Sequence, residues 1–245
     1  AFSVSSSSAM LATLALAPLA GSALAGISAR YIPSLGWFTL GAVFAAARAN
    51  LLPTMTGAGS VLALLLGLAL GCLAGMAVRA LTDFLWRRDP AGARGGRRMK
   101  AARVTQKRTK LLLNTTLATL LVAFSMGTAH AARAAQSEMA MIALALEIFW
   151  LACMSGDPAD GFATRVTEGM LLSGVALLGQ MAGMALAKGA SGTASIVHIA
   201  LAFGGAMYVA VRALLAHPRG AVAPRALAVS LWAGYGGTLA FMPLV

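Results

Sequence analysis

The sequence predicts an all-α integral membrane protein: eight transmembrane helices in a single polytopic domain, residues 1–245. Three observations predict it. Hydrophobic residues make up 59% of the chain and charged residues 11%, against about 45–50% and about 25% in a soluble domain. Mean hydropathy is +0.81, and 19 Lys and Arg with 7 Asp and Glu cannot supply the polar skin of a soluble core. The apolar residues are mainly Ala, Leu, Gly, Met and Val, which suit helices packed closely in lipid. Disorder, collagen and a disulfide scaffold are excluded on the same composition.

A span needs roughly 20 apolar residues, and breakers delimit each one. The first run, 9–27, lacks the basic flank of a secretory signal and is read as a span. Pro33 closes the connection to the second, 34–51, and Pro53 with Gly57 and Gly59 leads into the third, 59–86. A basic stretch follows, and then the fourth and fifth spans, 110–132 and 137–155. Asp157-Pro158 and Gly161 precede the sixth, 165–187. Gly189, Ser191 and Gly192 precede the seventh, 193–216, and Pro218 with Gly220 precedes the eighth, 225–244.

Net charge is +12, and its location sets orientation. Ten of the 19 basic residues lie between positions 87 and 110: Arg87, Arg88, Arg94, Arg97, Arg98, Lys100, Arg103, Lys107, Arg108 and Lys110. That density reads as a cytoplasmic loop obeying the positive-inside rule, and as a contact surface for anionic lipid headgroups or protein partners. Only Trp86 at its edge is aromatic, so nucleic acid is not expected. With this stretch in the cytoplasm, Arg30, Arg79, Arg165, Arg212, Arg219 and Arg225 fall on the same side, and both termini fall outside. The localisation this implies is a bacterial cytoplasmic (inner) membrane.

Gly67, Gly71 and Gly75 repeat every four residues in the third span, as Gly179 and Gly183 do in the sixth. Such small faces let helix backbones approach closely. They read as bundle packing or as a sliding seam between two bundles. Cys72 and Cys153 lie inside apolar runs and read as packed thiols.

Ionisable groups within spans are few. Asp83 lies one turn after Arg79, as an interfacial ion pair would. Arg48 sits where it can snorkel. Glu138 and Glu168 read as carboxylates at helix N-termini. Glu147 differs: it is mid-span within Ala-Leu-Ala-Leu-Glu-Ile-Phe-Trp-Leu with no cation nearby. A lone carboxylate there must take up a proton or find a cation, a metal or a buried donor. In the fourth span Met126 and His130 share a face, and a thioether with an imidazole can ligate a soft metal. Glu147, Met126 and His130 are therefore the metal candidates, although no cofactor is expected. No H-E-x-x-H, G-x-S-x-G, P-loop or dinucleotide fingerprint is present, and an enzyme is not expected.

Eight spans, outside termini and a basic loop between the third and fourth spans resemble the ZIP family of zinc and iron transporters. Ala-Gly-Ile-Ser-Ala-Arg (25–30) resembles the end of its first span, and Leu-Gly-Trp-Phe-Thr-Leu-Gly-Ala-Val-Phe (35–44) the start of its second. Leu-Ala-Phe-Gly-Gly-Ala-Met-Tyr-Val (201–209) resembles the L-A-x-G-A-M-x-x-V run of its seventh. The family holds a binuclear metal site between its fourth and fifth spans, and there the match fails. Where the family has H-N-x-P-E-G, this chain reads Val122-Ala123-Phe124-Ser125-Met126-Gly127. Where it has a second motif ending P-E-G, the chain reads Glu147-Ile148-Phe149-Trp150-Leu151-Ala152. The sixth-span carboxylate falls near Leu177, and the seventh-span H-E pair near Ala213-Leu214. Both motif prolines, which would break the helices and expose carbonyls, are absent. The resemblance implies a ZIP-like bundle whose metal site has degenerated. Two functions follow: a non-transporting accessory or structural subunit, associated with other membrane subunits or with copies of itself, or a transporter of a divalent metal or other small solute through unfamiliar ligands.

Overall fold

Long apolar runs free of proline propagate as helix, and helix is what the computed structural model contains. It describes residues 12–13, 15–25, 32–55, 57–87, 96–132, 137–156, 160–216 and 224–241. The helices are α1 (Ala15–Ala25), α2 (Ile32–Leu51, extended by a 3₁₀ turn at Leu52–Thr54), α3 (Ala58–Arg87), α4 (Gly96–Ala131), α5 (Ser137–Ser155), α6 (Phe162–Ala187), α7 (Gly192–Ala216) and α8 (Pro224–Phe241). No strand occurs among the described residues. Pro224 opens α8, where its missing N–H costs nothing. The tight turn from α6 to α7 needs Gly189 (φ 81°) and Gly192 (φ 55°), in the backbone region that side chains disfavour.

Five of these helices are long and apolar enough to cross a membrane, and the chain is an integral all-α membrane protein. Its outer surface agrees. Leu62, Leu65, Met170, Leu178, Met181, Val229 and Trp232 are all more than half exposed, an arrangement that lipid tolerates and water does not. In α3 only 28% of the apolar window is buried, against 61% in α2, so α3 lines the outside and α2 runs through the middle. Trp150, Phe203, Met126, Leu144 and Ile148 are fully buried and form the centre of the core.

The basic stretch departs from the expected loop. Helix α4 already starts at Gly96, so most of 87–110 is helical. Beyond Gly96 it has neither glycine nor proline until Gly127, and Arg, Lys, Gln, Met and Ala are good helix formers. Only Arg108–Ala131 of this helix is apolar enough to span a membrane. Arg88 and Arg94 lie outside the described residues.

Close packing pairs α3 with α7, α4 with α6, and α2 with α8. Glycine sets each approach. Added side-chain carbons at Gly67 and Gly71 would strike the α7 backbone at Val197 and Leu201, and one at Gly75 would strike the Tyr208 ring. Those at Gly179 and Gly183 would strike the α4 backbone at Leu120 and Phe124, and Gly127 answers from α4 against Gln180. Gly41 and Gly234 do the same between α2 and α8. The registers rise together in the first two pairs, so these helices run parallel. Helix α1 lies on α5, where Gly21 meets the Phe149 carbonyl, and on α6, where the Ser173 hydroxyl donates to the Ala15 carbonyl at 2.6 Å.

The contacts carry an internal two-fold pattern. Exchanging α1–α3 with α6–α8, and α4 with α5, turns α3–α7 into α8–α2, α4–α6 into α5–α1 and α2–α5 into α7–α4. The α2–α7 and α4–α5 contacts map onto themselves. The pattern is partial, because the α3–α4 contact has no counterpart of similar extent between α8 and α5; α1 and α6 run antiparallel.

Candidate functional site

Glu147 stands midway along α5, one of the two helices that this pattern exchanges with each other. Its side chain is fully buried, and Leu144, Ile148 and Trp150, within one turn of it on α5, are buried core residues as well. Neither carboxyl oxygen has a hydrogen-bond partner among the described residues. Trp150 is fixed beside it: the indole N–H donates to the Ile32 carbonyl at 3.1 Å, and Gly36 supplies the room for the ring. On α4 the buried hydroxyls of Thr119 and Ser125 are unpartnered as well, and so are the Gln180 side-chain oxygen on α6 and Nδ1 of His130. Buried polar atoms without partners are uncommon.

Of the three metal candidates, Glu147 stands on α5, and Met126 and His130 stand one turn apart on α4. A first-row metal bonds imidazole or carboxylate at about 2.0–2.2 Å. Among the described residues no three of His, Cys, Asp and Glu are grouped so as to hold a metal ion. His198 Nδ1 is engaged with the Ala194 carbonyl at 2.7 Å, within its own helix. Among the described residues Cys72 and Cys153 form no disulfide, and the Cys72 thiol donates to the Gly204 carbonyl at 3.7 Å.

A cavity of about 300 Å³ opens between α3, α4, α5 and α7. Arg79, Asp83, Lys110 and Arg212 line its polar part, and Ala118, Leu151 and Val209 its apolar part. Leu151 is one helical turn from Glu147 on α5, so the cavity stops a turn short of the carboxyl.

Ion pairs mark the end of the bundle that carries the basic stretch. Arg79 Nε lies 3.6 Å from Asp83, the expected pair, and Lys110 reaches the same carboxylate at 3.1 Å. Arg108 clamps two acids: its Nη1 donates to Asp160 at 2.8 Å and its Nη2 to Glu168 at 2.6 Å. Glu168 stands nearly two turns into α6, not in its first turn, and its partner is a guanidinium instead of a helix dipole. Arg108 and Lys110, expected as lipid or partner contacts, are thus engaged within the chain. For Arg87, Arg97, Arg98, Lys100, Arg103 and Lys107 the described structure extends to helical backbone. At the other end Arg48 donates to the Tyr235 hydroxyl at 2.6 Å, so it is tied to α8 as well as placed for snorkelling. The Arg108 clamp was missed in the sequence. The signal available was that Asp160, Glu168 and Arg108 all lie at one end once the spans alternate.

No known protein-family model matches the chain, and no curated protein matches it either.

Proposed function

We propose that this chain is a ZIP-like scaffold of eight spans, with both termini outside and the basic stretch in the cytoplasm of a bacterial inner membrane. In this reading it serves as an accessory or structural subunit of a membrane assembly and carries no divalent metal. The observation that carries the proposal is Glu147, a single carboxyl with apolar neighbours where a metal path needs several oxygen or nitrogen ligands. The stretch Val122–Gly127 supports it: in place of ligands it supplies core side chains and the glycine of the α4–α6 seam. The partial two-fold pattern of helix contacts supports descent from a transporter-like bundle. Gentle extraction of the intact chain from its native membrane tests the reading. Stoichiometric membrane partners are expected; a lone chain that takes up zinc in liposomes sinks it.

A second reading is favoured by the cavity. Its lining reaches Leu151, one turn along α5 from the unpartnered carboxyl oxygens of Glu147. In that reading the chain moves a small solute, and Glu147→Gln abolishes the movement. Equal uptake by wild type and variant removes it.

A further inference from the structure

The cavity among α3, α4, α5 and α7 has a property that neither reading uses. Among the described residues its lining has three cations, Arg79, Lys110 and Arg212, against one anion, Asp83. Asp83 already holds both Arg79 and Lys110, and Arg212 has no acidic partner among the described residues. Such an excess of positive charge beside apolar walls calls for an anion.

The cavity also has a neighbour on the outer face of the bundle. A second hollow runs along the outer face of α3, lined by Met76, Ala80 and Phe84 and sharing Arg79, Asp83 and Tyr208 with the first. Met76 and Phe84 are 45% and 53% exposed on the lipid-facing surface. Position 75 is glycine, and the Tyr208 ring packs where a side-chain carbon there would stand. A polar, cationic chamber thus adjoins, at Arg79, Asp83 and Tyr208, a groove with apolar side chains on the outer face of α3. A free phosphate has no use for that groove, whereas a molecule with an anionic head and an apolar tail fits both parts.

We propose that this chamber is a binding site for an anionic glycerophospholipid. Its phosphodiester lies among Arg79, Lys110 and Arg212, and one acyl chain lies along Met76 and Phe84. The polar side chain of Asn114 and the hydroxyl of Thr115 line the same chamber and suit a headgroup alcohol. The site is distinct from surface attraction of lipid to the basic stretch, since it lies inside the bundle and depends on shape as well as charge. It holds whether the chain is a subunit or a transporter.

The test is native mass spectrometry of the full chain released from nanodiscs of equal parts phosphatidylglycerol and phosphatidylcholine. Wild type is expected to retain one phosphatidylglycerol selectively. Arg212→Gln is expected to reduce that retention about fivefold, the effect of one cation near a lipid headgroup, and Arg212→Lys to preserve it. Ala80→Trp, which fills the outer groove at an exposed position, is expected to reduce retention with every cation in place. Replacing Arg97, Arg98, Lys100 and Arg103 by Gln is expected to leave it intact. Equal retention of the two lipids by wild type overturns the proposal, as does unchanged retention in both Arg212→Gln and Ala80→Trp. Loss only in the quadruple variant assigns the lipid to the basic stretch and also overturns it. Displacement of the lipid by excess inorganic phosphate identifies a free-phosphate site instead.

Discussion

The basic end of the bundle and its middle treat carboxyl groups in opposite ways. At the end, Arg108 holds Asp160 and Glu168 together, and Lys110 and Arg79 share Asp83. Apart from Arg79–Asp83, which lies within α3, each pair ties α4 to another helix: α6, the residue that leads into it, or α3. In the middle, Glu147 is more deeply buried than any of these acids and has no described partner. Among the described residues, charge is used for joining helix ends where water reaches, and the centre is held by shape. The glycine seams carry the packing there, because in lipid close backbone contact replaces the hydrophobic drive.

If that contrast is right, damage to a seam exceeds damage to an ion pair. Gly183→Leu puts its first side-chain carbon against the Phe124 carbonyl, with backbone on both sides that cannot give. Overpacking of this kind costs about 3 kcal/mol or more, and loss of the monodisperse species on size-exclusion chromatography is expected. Arg108→Ala leaves Asp160 and Glu168, 15% and 12% exposed, without their cation. The expected loss is about 2 kcal/mol, below that of a fully buried pair because Arg108 itself is partly solvated, and a lower thermal midpoint in detergent measures it. At the centre the sign reverses. Glu147→Leu removes a buried polar group that has nothing to pair with, and a gain of about 1–2 kcal/mol is expected; a lowered midpoint would mean the carboxyl has a structural partner. The smallest effect belongs to Lys110→Ala, under about 1 kcal/mol, since Asp83 keeps Arg79 and both side chains are partly exposed.

Much of this molecule was legible in its sequence. Helix positions follow from apolar length, and the meeting of Arg79, Asp83, Lys110 and Arg212 at one end follows from alternating spans. Gly67, Gly71, Gly75, Gly179 and Gly183 announced close contacts through their spacing, although not which helix each would touch. The start of α4 was hidden because a basic stretch is a topological signal and a helix former at once. The Arg108 clamp was hidden because its acids are 52 and 60 residues away, and no local rule links them. Gly127 was legible only as the remnant of a lost motif; its contact with Gln180 shows that it also closes a seam. Glu147 was legible as an outlier in an apolar run, and its surroundings supplied no partner to make it ordinary.

The central claim is that the middle of this bundle does not pass a divalent metal. Zinc uptake into proteoliposomes holding the purified intact chain tests it most directly. Uptake equal to that of protein-free liposomes, unchanged by Glu147→Gln, is the predicted result. Saturable uptake that disappears in Glu147→Gln would contradict it.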